Sequence, residues 1–421
     1  MTAEIVIINQ HGVAMAADSA VTIGNQKIIN SAIKLFSLSR TEPVGIMIYG
    51  NANLLNIPWE TLIKLYRKNQ TNKLDKLKDY GEGFIDFLKS KTYYFSEDQQ
   101  DEWAKQKVFE LYAEIIEELK NQITQIQQAG GIVNDQIIQN YAENLIIEYN
   151  LVLTNNKKIF EKDITDELRT KIHALSDDLI QKMFPFLKNN PILFSSLELI
   201  LKNLAIIAVF YCTPVNSSGI VIAGFGNDDI FPSVVTYEIH GVYNNHLLFK
   251  VNDEKTIINE NAQTMKSDII PFAQEDVVRS FLDGIHPELF NYAISYVQGT
   301  INTFLANNSA TLPLKTHEVE AISEDVAKNF HDEMKTYMSS KLLSPMIDMI
   351  IALPKDELAS MAEALVNMTA FRRKMAFGSL ESVGGPVDVA VISKGDGLVW
   401  VKRKHYFPQE KNAHFFDNYF K

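Results

Sequence analysis

Residues 2–19 read T-A-E-I-V-I-I-N-Q-H-G-V-A-M-A-A-D-S. The apolar run Ile5–Ile8 breaks at Asn9–Gly12, and a second apolar run follows over Val13–Ala17. Two short apolar runs separated by turn-forming residues predict a β-hairpin. Because Ile5–Ile8 contains no polar residue, it favours a strand that is covered on both faces, as in a sheet between helical layers.

Further strand-like and helix-like segments alternate along the chain. Strand patterns recur over 26–38, 44–49, 206–213, 219–224, 233–239 and 246–251, and in a closing hairpin over 387–393 and 397–403. Helical patterns cover about 72–204 and 274–375, with breaks expected at Gly130–Gly131, Asn155–Asn156 and Pro191. A shorter helix is predicted where Trp59, Leu62, Ile63 and Tyr66 repeat at helical spacing. This order favours an α+β fold of two packed antiparallel sheets with helices on both outer faces, a four-layer αββα sandwich.

Composition and charge narrow the classes of function. The chain has 421 residues, of which 46% are hydrophobic and 22% charged, as is typical of an ordinary globular protein. Its net charge of −12 argues against nucleic acid or an anionic membrane as the main partner. The nine histidines are scattered and form no cluster with cysteine, so the sequence predicts no metal site and no cofactor.

The first residues and the single cysteine indicate a compartment. No basic segment followed by an apolar core and a small-residue cleavage site opens the chain, so no signal peptide is predicted. Cys212 cannot form an internal disulfide, which favours a reducing compartment, and we expect it to be buried in a strand. We therefore expect a cytoplasmic protein from which Met1 is removed, because the small Thr2 follows it.

A Thr2 exposed in this way would combine two chemical groups. Its hydroxyl is a poor nucleophile until a base takes the proton. Its free α-amine, with an unperturbed pKa of about 7.7–8.0, can accept that proton directly or through a water molecule. An N-terminal nucleophile hydrolase needs this combination, so the start of the chain predicts a hydrolase of that type.

The opening residues resemble a proteasome-type β subunit, a member of the N-terminal nucleophile hydrolases. Such subunits begin with a threonine, continue after a turn as G-V-x-x-A-A-D-S, and carry a lysine in the next pair of strands. Gly12–Ser19 matches that segment without a gap when counted from Thr2, and Lys34 falls in register. Val221–Phe225 and Val383–Gly385 are similar to later segments of the family.

The resemblance implies a set of catalytic residues. Thr2 would be the nucleophile, Asp18 and Lys34 its charged partners, and the backbone N–H of Gly50 the donor to the oxyanion. A charged Lys34 would favour the threonine alkoxide, whereas a neutral Lys34 could accept its proton, and the sequence leaves both roles open.

The resemblance also implies an organisation and a substrate. We expect a single domain over 1–421 with a helical insertion over 72–204, assembled into a homo-oligomeric ring. The substrate would be a peptide or an unfolded protein, cleaved through an acyl-enzyme on Thr2. The sequence identifies no ATPase or other regulator.

Two other functions stay open. The same N-terminal chemistry serves amidohydrolases that act on small amides, because a fold does not fix the substrate. The serine and aspartate that support the nucleophile in the family are not in register here, since Leu380 and Val383 occupy those positions. A catalytically inactive structural or binding subunit is therefore the other alternative.

Overall fold

The computed structural model of the protein describes residues 3–23, 27–155, 164–211, 217–256, 267–308, 315–375 and 383–414. Three residues on which the sequence predictions depend, Thr2, Cys212 and Leu380, lie outside the described residues.

The regular elements are as follows. The strands are β1 (Ala3–Asn9), β2 (Gly12–Ala17), β3 (Val21–Ile23), β4 (Lys27–Ile29), β5 (Leu35–Ser37), β6 (Val44–Gly50), β7 (Asn53–Leu54), β8 (Ile57–Pro58), β9 (Ser218–Gly224), β10 (Ser233–Tyr243), β11 (His246–Thr256), β12 (Asp268–Ala273), β13 (Asp388–Ser393) and β14 (Gly397–Lys402). The helices are α1 (Trp59–Asn69), α2 (Leu77–Ser90), α3 (Glu97–Gln128), α4 (Asp135–Asn155), α5 (Asp166–Met183), α6 (Pro191–Phe210), α7 (Asp276–Asp283), α8 (Pro287–Asn307), α9 (Thr316–Met338), α10 (Ser344–Ile351) and α11 (Lys355–Met375).

Most strands belong to two five-stranded antiparallel sheets. Sheet I has the order β12-β1-β2-β13-β14, and sheet II has the order β11-β10-β9-β6-β5. The predicted N-terminal hairpin is β1 and β2, in which Ile5 pairs with Ala16 and Ile7 with Ala14. This hairpin lies in the middle of sheet I, so its backbone is hydrogen-bonded on both sides.

Alternate residues of the strands fill the space between the two sheets. Val6, Met15 and Ala390 from sheet I meet Met47 and Val221 from sheet II in one buried cluster. Because successive side chains of a strand point to opposite faces, the intervening residues face outward. Burying an aliphatic side chain of this size contributes about 1.5–3 kcal/mol relative to exposing it.

Helices cover the outward faces of both sheets. Ile5, Ile7 and the other outward residues of sheet I pack on α7, α10 and α11. The outward residues of sheet II pack on α1 and α2. The predicted stripe of α1, formed by Trp59, Leu62, Ile63 and Tyr66, is buried there. The protein is thus an α+β four-layer αββα sandwich, as the sequence predicts.

Helices α3 to α6 pack around a separate hydrophobic core. Tyr243 and Leu248, at the end of sheet II, also pack in this core. Two predicted breaks are confirmed, because α3 ends at Gln128 and α6 begins at Pro191. The break predicted at Asn155–Asn156 borders residues 156–163, which lie outside the described residues. Within the segment 72–204, α2 packs on sheet II and not on the α3–α6 core. Its description as an insertion into a single domain stays a prediction.

Three strand predictions need correction. The segment 26–38 was expected to be one strand, but its described residues form two short strands, β4 and β5. The segment 206–213 was expected to be a strand, but Ile206–Phe210 forms the last turn and a half of α6. A short apolar run does not reveal its own period, and here it continues a buried helix. Strand β12 was not predicted, because Pro271 interrupts its pattern; the strand lies at the edge of sheet I, where proline is tolerated.

Helix α6 is long and apolar enough to cross a membrane, judged by length and composition alone. Its buried residues, including Leu197, Leu201 and Leu204, pack in the α3–α6 core. A core helix of a water-soluble protein has the same composition, so this helix is weak evidence for a membrane span.

Candidate active site

Asp18 lies directly after β2, and its carboxylate is completely buried. One oxygen accepts a hydrogen bond from the backbone N–H of Ala3, at 3.2 Å. The other accepts from the N–H groups of Gly384, at 3.0 Å, and Ala20, at 3.2 Å. Asp18 therefore joins the start of β1, the end of β2 and the loop before β13.

Lys34 completes this group. Its Nζ lies 2.5 Å from Asp18 Oδ1, and only 6% of its side chain is exposed. The residue was expected within a strand but lies just before β5, where its carbonyl accepts the N–H of Ile48 at 3.0 Å. A lysine attached to sheet II thus pairs with an aspartate attached to sheet I, at one end of the sandwich.

Thr2 lies outside the described residues, but its covalent neighbour is described. The N–H of Ala3, which belongs to the peptide bond that joins residues 2 and 3, donates to Asp18. Asp18 is thus bound at once to this peptide and to Lys34. The catalytic role of Thr2 stays a prediction.

Gly50 is the last residue of β6, two positions beyond the contact between Ile48 and Lys34. Its φ of +78° is in the left-handed region, and a Cβ there would lie 2.3 Å from the carbonyl oxygen of Ser217. Only glycine fits such a position without strain. The hairpin β7–β8 separates Gly50 from α1. The N-terminus of α1 therefore does not follow Gly50 directly.

The turn Gly384–Gly385 forms the wall beside Asp18. The carbonyl of Gly384 accepts the N–H of Ser19 at 3.1 Å, and Ser19 Oγ donates to the carbonyl of Pro386. Gly385 has a φ of +79°, and a Cβ there would lie 2.9 Å from the Cβ of Asn30. This turn thus contacts Asp18 directly, through the N–H of Gly384.

Sequence reasoning missed a second buried carboxylate, Asp388, at the same end of sheet I. Arg403 Nη1 and Lys404 Nζ donate to its Oδ2 at 3.1 and 2.8 Å, and the N–H of Lys404 donates to Oδ1 at 2.8 Å. Burial, together with the charges of Arg403 and Lys34, lowers the pKa of Lys404. Lys404 and Lys34 are therefore close enough to affect each other. An acid inside the apolar run P-V-D-V-A-V-I was the signal for this group.

Glu4 was also missed, although it is a charged residue directly before the first apolar run of the chain. It is 1% exposed, and neither carboxyl oxygen has a hydrogen-bond partner among the described residues. Burial raises the pKa of Glu4 well above its usual value; Lys34 opposes this shift and Asp18 adds to it. The end of the sandwich therefore holds three buried carboxyl groups, of which Asp18 and Glu4 interact with Lys34.

A groove of about 530 Å³ opens beyond Gly50. Asn51 and Asn53 line one side of it, and Glu102 and Trp103 of α3 line the other. The helical segment thus contributes a wall to a cleft next to the residue predicted to bind the oxyanion.

Comparisons with known proteins give matches among solved structures only. No family model matches the chain, and no curated protein matches it. The helical assembly of the Anbu complex from Pseudomonas aeruginosa is 9% identical, with 99% of this chain and 93% of that chain covered at a TM-score of 0.34. Anbu, described as an ancestral beta-subunit, from Yersinia bercovieri is 8% identical, with 99% and 94% covered at a TM-score of 0.30. A Gly-1 mutant of Anbu from Hyphomicrobium sp. strain MC1 is also 8% identical, with 99% and 94% covered at a TM-score of 0.29.

These findings contradict the assignment of the chain to the proteasome-type β subunits. The three similar structures described above are Anbu proteins, no family model supports the assignment, and the agreement in the opening residues covers a short segment. At identities of 9% or less and TM-scores below 0.5, the likeness carries no argument about activity. The function must therefore be inferred from the geometry of the site itself.

Proposed function

We propose that the protein is a hydrolase that uses Thr2 as an N-terminal nucleophile and cleaves peptide bonds. Thr2 Oγ attacks the carbonyl carbon, the amine part of the substrate leaves with a proton, and an ester forms on Thr2. Water then attacks the ester, releases the carboxylic acid and restores the hydroxyl.

One observation carries the proposal: the Asp18 carboxylate binds both the Lys34 amine and the N–H of Ala3, the residue attached to Thr2. A buried ion pair is expensive to form and is a weak source of stability. An ion pair fixed against the predicted nucleophile is better explained by a chemical task, since catalysis needs charges held in place before the reaction starts.

The residues divide the chemistry as follows. The α-amine of Thr2 accepts the proton of the hydroxyl, because its usual pKa of about 7.7–8.0 is close to neutral pH. The positive charge of Lys34 favours the alkoxide, and Asp18 holds Lys34 in position. The N–H of Gly50 donates to the oxyanion that forms on the substrate carbonyl.

The proposal includes a peptide or unfolded-protein substrate and self-association into a homo-oligomer in the cytoplasm. The groove between Asn53 and Trp103 offers room for an extended segment beside Gly50. Sedimentation of the purified protein tests the assembly: a single species at the monomer mass of 47.7 kDa at all concentrations would remove that part of the proposal.

Activity is tested with intact-protein mass spectrometry and a panel of fluorogenic peptides. We expect a mass without Met1, and hydrolysis that falls at least about 10³-fold in Thr2→Ala. Thr71→Ala, at an exposed threonine, is the matched control and should leave the rate unchanged. Retention of Met1, or equal hydrolysis by Thr2→Ala, would refute the mechanism. Turnover of small amides without turnover of peptides would replace the substrate class and keep the nucleophile.

A further inference from the structure

Among the buried carboxyl groups described at this end of the molecule, that of Glu4 has the fewest hydrogen-bond partners. Asp18 and Asp388 are equally buried, but each accepts several hydrogen bonds. Neither oxygen of Glu4 has a hydrogen-bond partner among the described residues. An isolated buried carboxylate costs far more than a buried neutral acid, so such a group takes up a proton unless something compensates its charge.

The register of sheet I places Glu4 in a row with Asp388. Glu4 pairs with Ala17 and Phe272, and Asp388 pairs with Ala17 on its other side. The next inward residues of these strands, Val6 and Ala390, line the space between the sheets. Adjacent strands are about 4.8 Å apart, so the backbones of Glu4 and Asp388 lie about 10 Å apart across Ala17.

Charged and titratable groups from several elements surround Glu4. Lys34, before β5, and Asp18, after β2, act on it directly. Tyr49 of β6 stacks on Phe272 with ring centroids 5.5 Å apart. Burial, together with the charges of Glu4, Glu238 and Glu275, raises the pKa of its phenol. Arg403 and Lys404 donate hydrogen bonds to Asp388, farther along the row. The charge of Lys34 contributes to the lowered pKa of Lys404.

We propose that Glu4 is a positioning residue of the active site, which is competent while the Glu4 carboxyl is protonated and is switched off when that carboxyl ionises. This inference rests on the proposed function, because it acts through Lys34 and the α-amine of Thr2. With Glu4 neutral, Asp18 is the partner of Lys34 in an ion pair among the residues that the structure describes.

Ionisation of Glu4 adds a second negative charge beside Lys34. A like charge within about 4–6 Å changes the pKa of a titrating group by about 1–3 units. The added charge makes the Thr2 alkoxide less favourable and holds the proton on its α-amine, so the base is lost. Activity therefore falls as the pH rises through the Glu4 pKa, on the alkaline side of the optimum.

The test compares the wild-type protein with Glu4→Gln, which keeps the shape of the protonated acid and cannot ionise. We expect kcat/KM of the variant at acidic pH to stay within about threefold of wild type, and its alkaline limb to move up by at least about one pH unit. Glu4→Met, which also cannot ionise, should show the same shift. Glu82→Gln, at an exposed glutamate, is the control and should keep the wild-type profile.

An unchanged alkaline limb in both Glu4 variants would overturn the proposal. So would loss of kcat/KM at every pH in a folded Glu4→Gln protein, because that result would make Glu4 an ionised base.

A measurement of stability separates this idea from the proposed function. A carboxyl whose pKa is raised in the folded state contributes stability below its unfolded pKa, about 4.3, and loses that contribution as the pH rises through its folded pKa. The Tm of Glu4→Gln minus that of wild type should therefore grow with pH above about 4.3 and then level off. A constant difference would overturn the protonated Glu4 even if hydrolysis is found. Absence of hydrolysis together with a growing difference would refute the proposed function and, with it, the positioning role.

Discussion

Two buried carboxylates at one end of sheet I are held in different ways. At the Asp18 site, formed by Asp18, Lys34 and Gly384, three backbone N–H groups and one buried lysine bind the carboxylate. At the Asp388 site, formed by Asp388, Arg403 and Lys404, two cations and one N–H bind it. The cations at the Asp388 site are partly exposed, whereas Lys34 is buried.

The difference indicates what each site does. Arg403 and Lys404 are partly exposed, so they can turn toward water if Asp388 is removed. Loss of Asp388 therefore leaves no fully buried cation without a counter-ion. Lys34 is buried and cannot turn toward water in this way, so its charge depends on Asp18 for compensation. The Asp18 site is therefore the one whose geometry is fixed, and the Asp388 site supports it from the neighbouring strand.

Matched substitutions should separate the two sites most strongly. Asp18→Asn leaves the buried charge of Lys34 without its counter-ion, so we expect the free energy of unfolding to fall by about 3–5 kcal/mol. We expect kcat/KM to fall at least about 100-fold, because Lys34 is no longer held in position. Asp388→Asn should cost about 1–3 kcal/mol and change kcat/KM less than about tenfold. Urea denaturation and peptide hydrolysis measure both. Equal losses in the two variants would mean that the sites do not differ in role.

The turn beside Asp18 offers a second comparison. Gly385 and Gly397 both have a positive φ, but a Cβ at Gly385 meets Asn30 and Ser19 whereas one at Gly397 meets nothing within 4 Å. We expect Gly397→Ala to cost about 1–2 kcal/mol, and Gly385→Ala to cost at least about 1 kcal/mol more because of overpacking. Only Gly385→Ala should reduce kcat/KM. If Gly397→Ala inhibits as strongly, the turn has no special link to Asp18.

The smallest effect is expected where the two sites touch. Arg403 Nη1 donates to the carbonyl of Leu35, next to Lys34, at 2.8 Å as well as to Asp388. Arg403→Gln should lower kcat/KM by about fivefold, the equivalent of one lost hydrogen bond of about 1 kcal/mol. Lys404→Gln keeps the contact to Leu35 and should change kcat/KM less than about twofold. The reverse order would show that the charge of Lys404 matters more than the position of Leu35.

The fold was predictable from the chain because its local signals agree. The Ile5–Ile8 and Val13–Ala17 runs became the central hairpin, and the Trp59–Tyr66 stripe became a buried helix face. The runs at 206–213 and 268–273 were not assigned correctly, since a short apolar run carries no period and a proline hides an edge strand.

The site was predictable only in part. Asp18 and Lys34 were found from a motif, and the structure brings them together. Glu4 and Asp388 belong to no motif, and their importance depends on the register of Glu4 and Asp388 with Ala17, which tertiary structure sets. A charged residue within an apolar strand was the visible signal, but its partners lie far away in the sequence.

The role of Thr2 as the nucleophile can be tested by reaction with a peptide that carries an electrophilic β-lactone, followed by peptide mapping with mass spectrometry. We expect a single ester adduct on a peptide that begins with Thr2 and lacks Met1, formed much more slowly in Asp18→Asn than in Asp388→Asn. A retained Met1, or an adduct at another residue that forms equally fast in both variants, would contradict it.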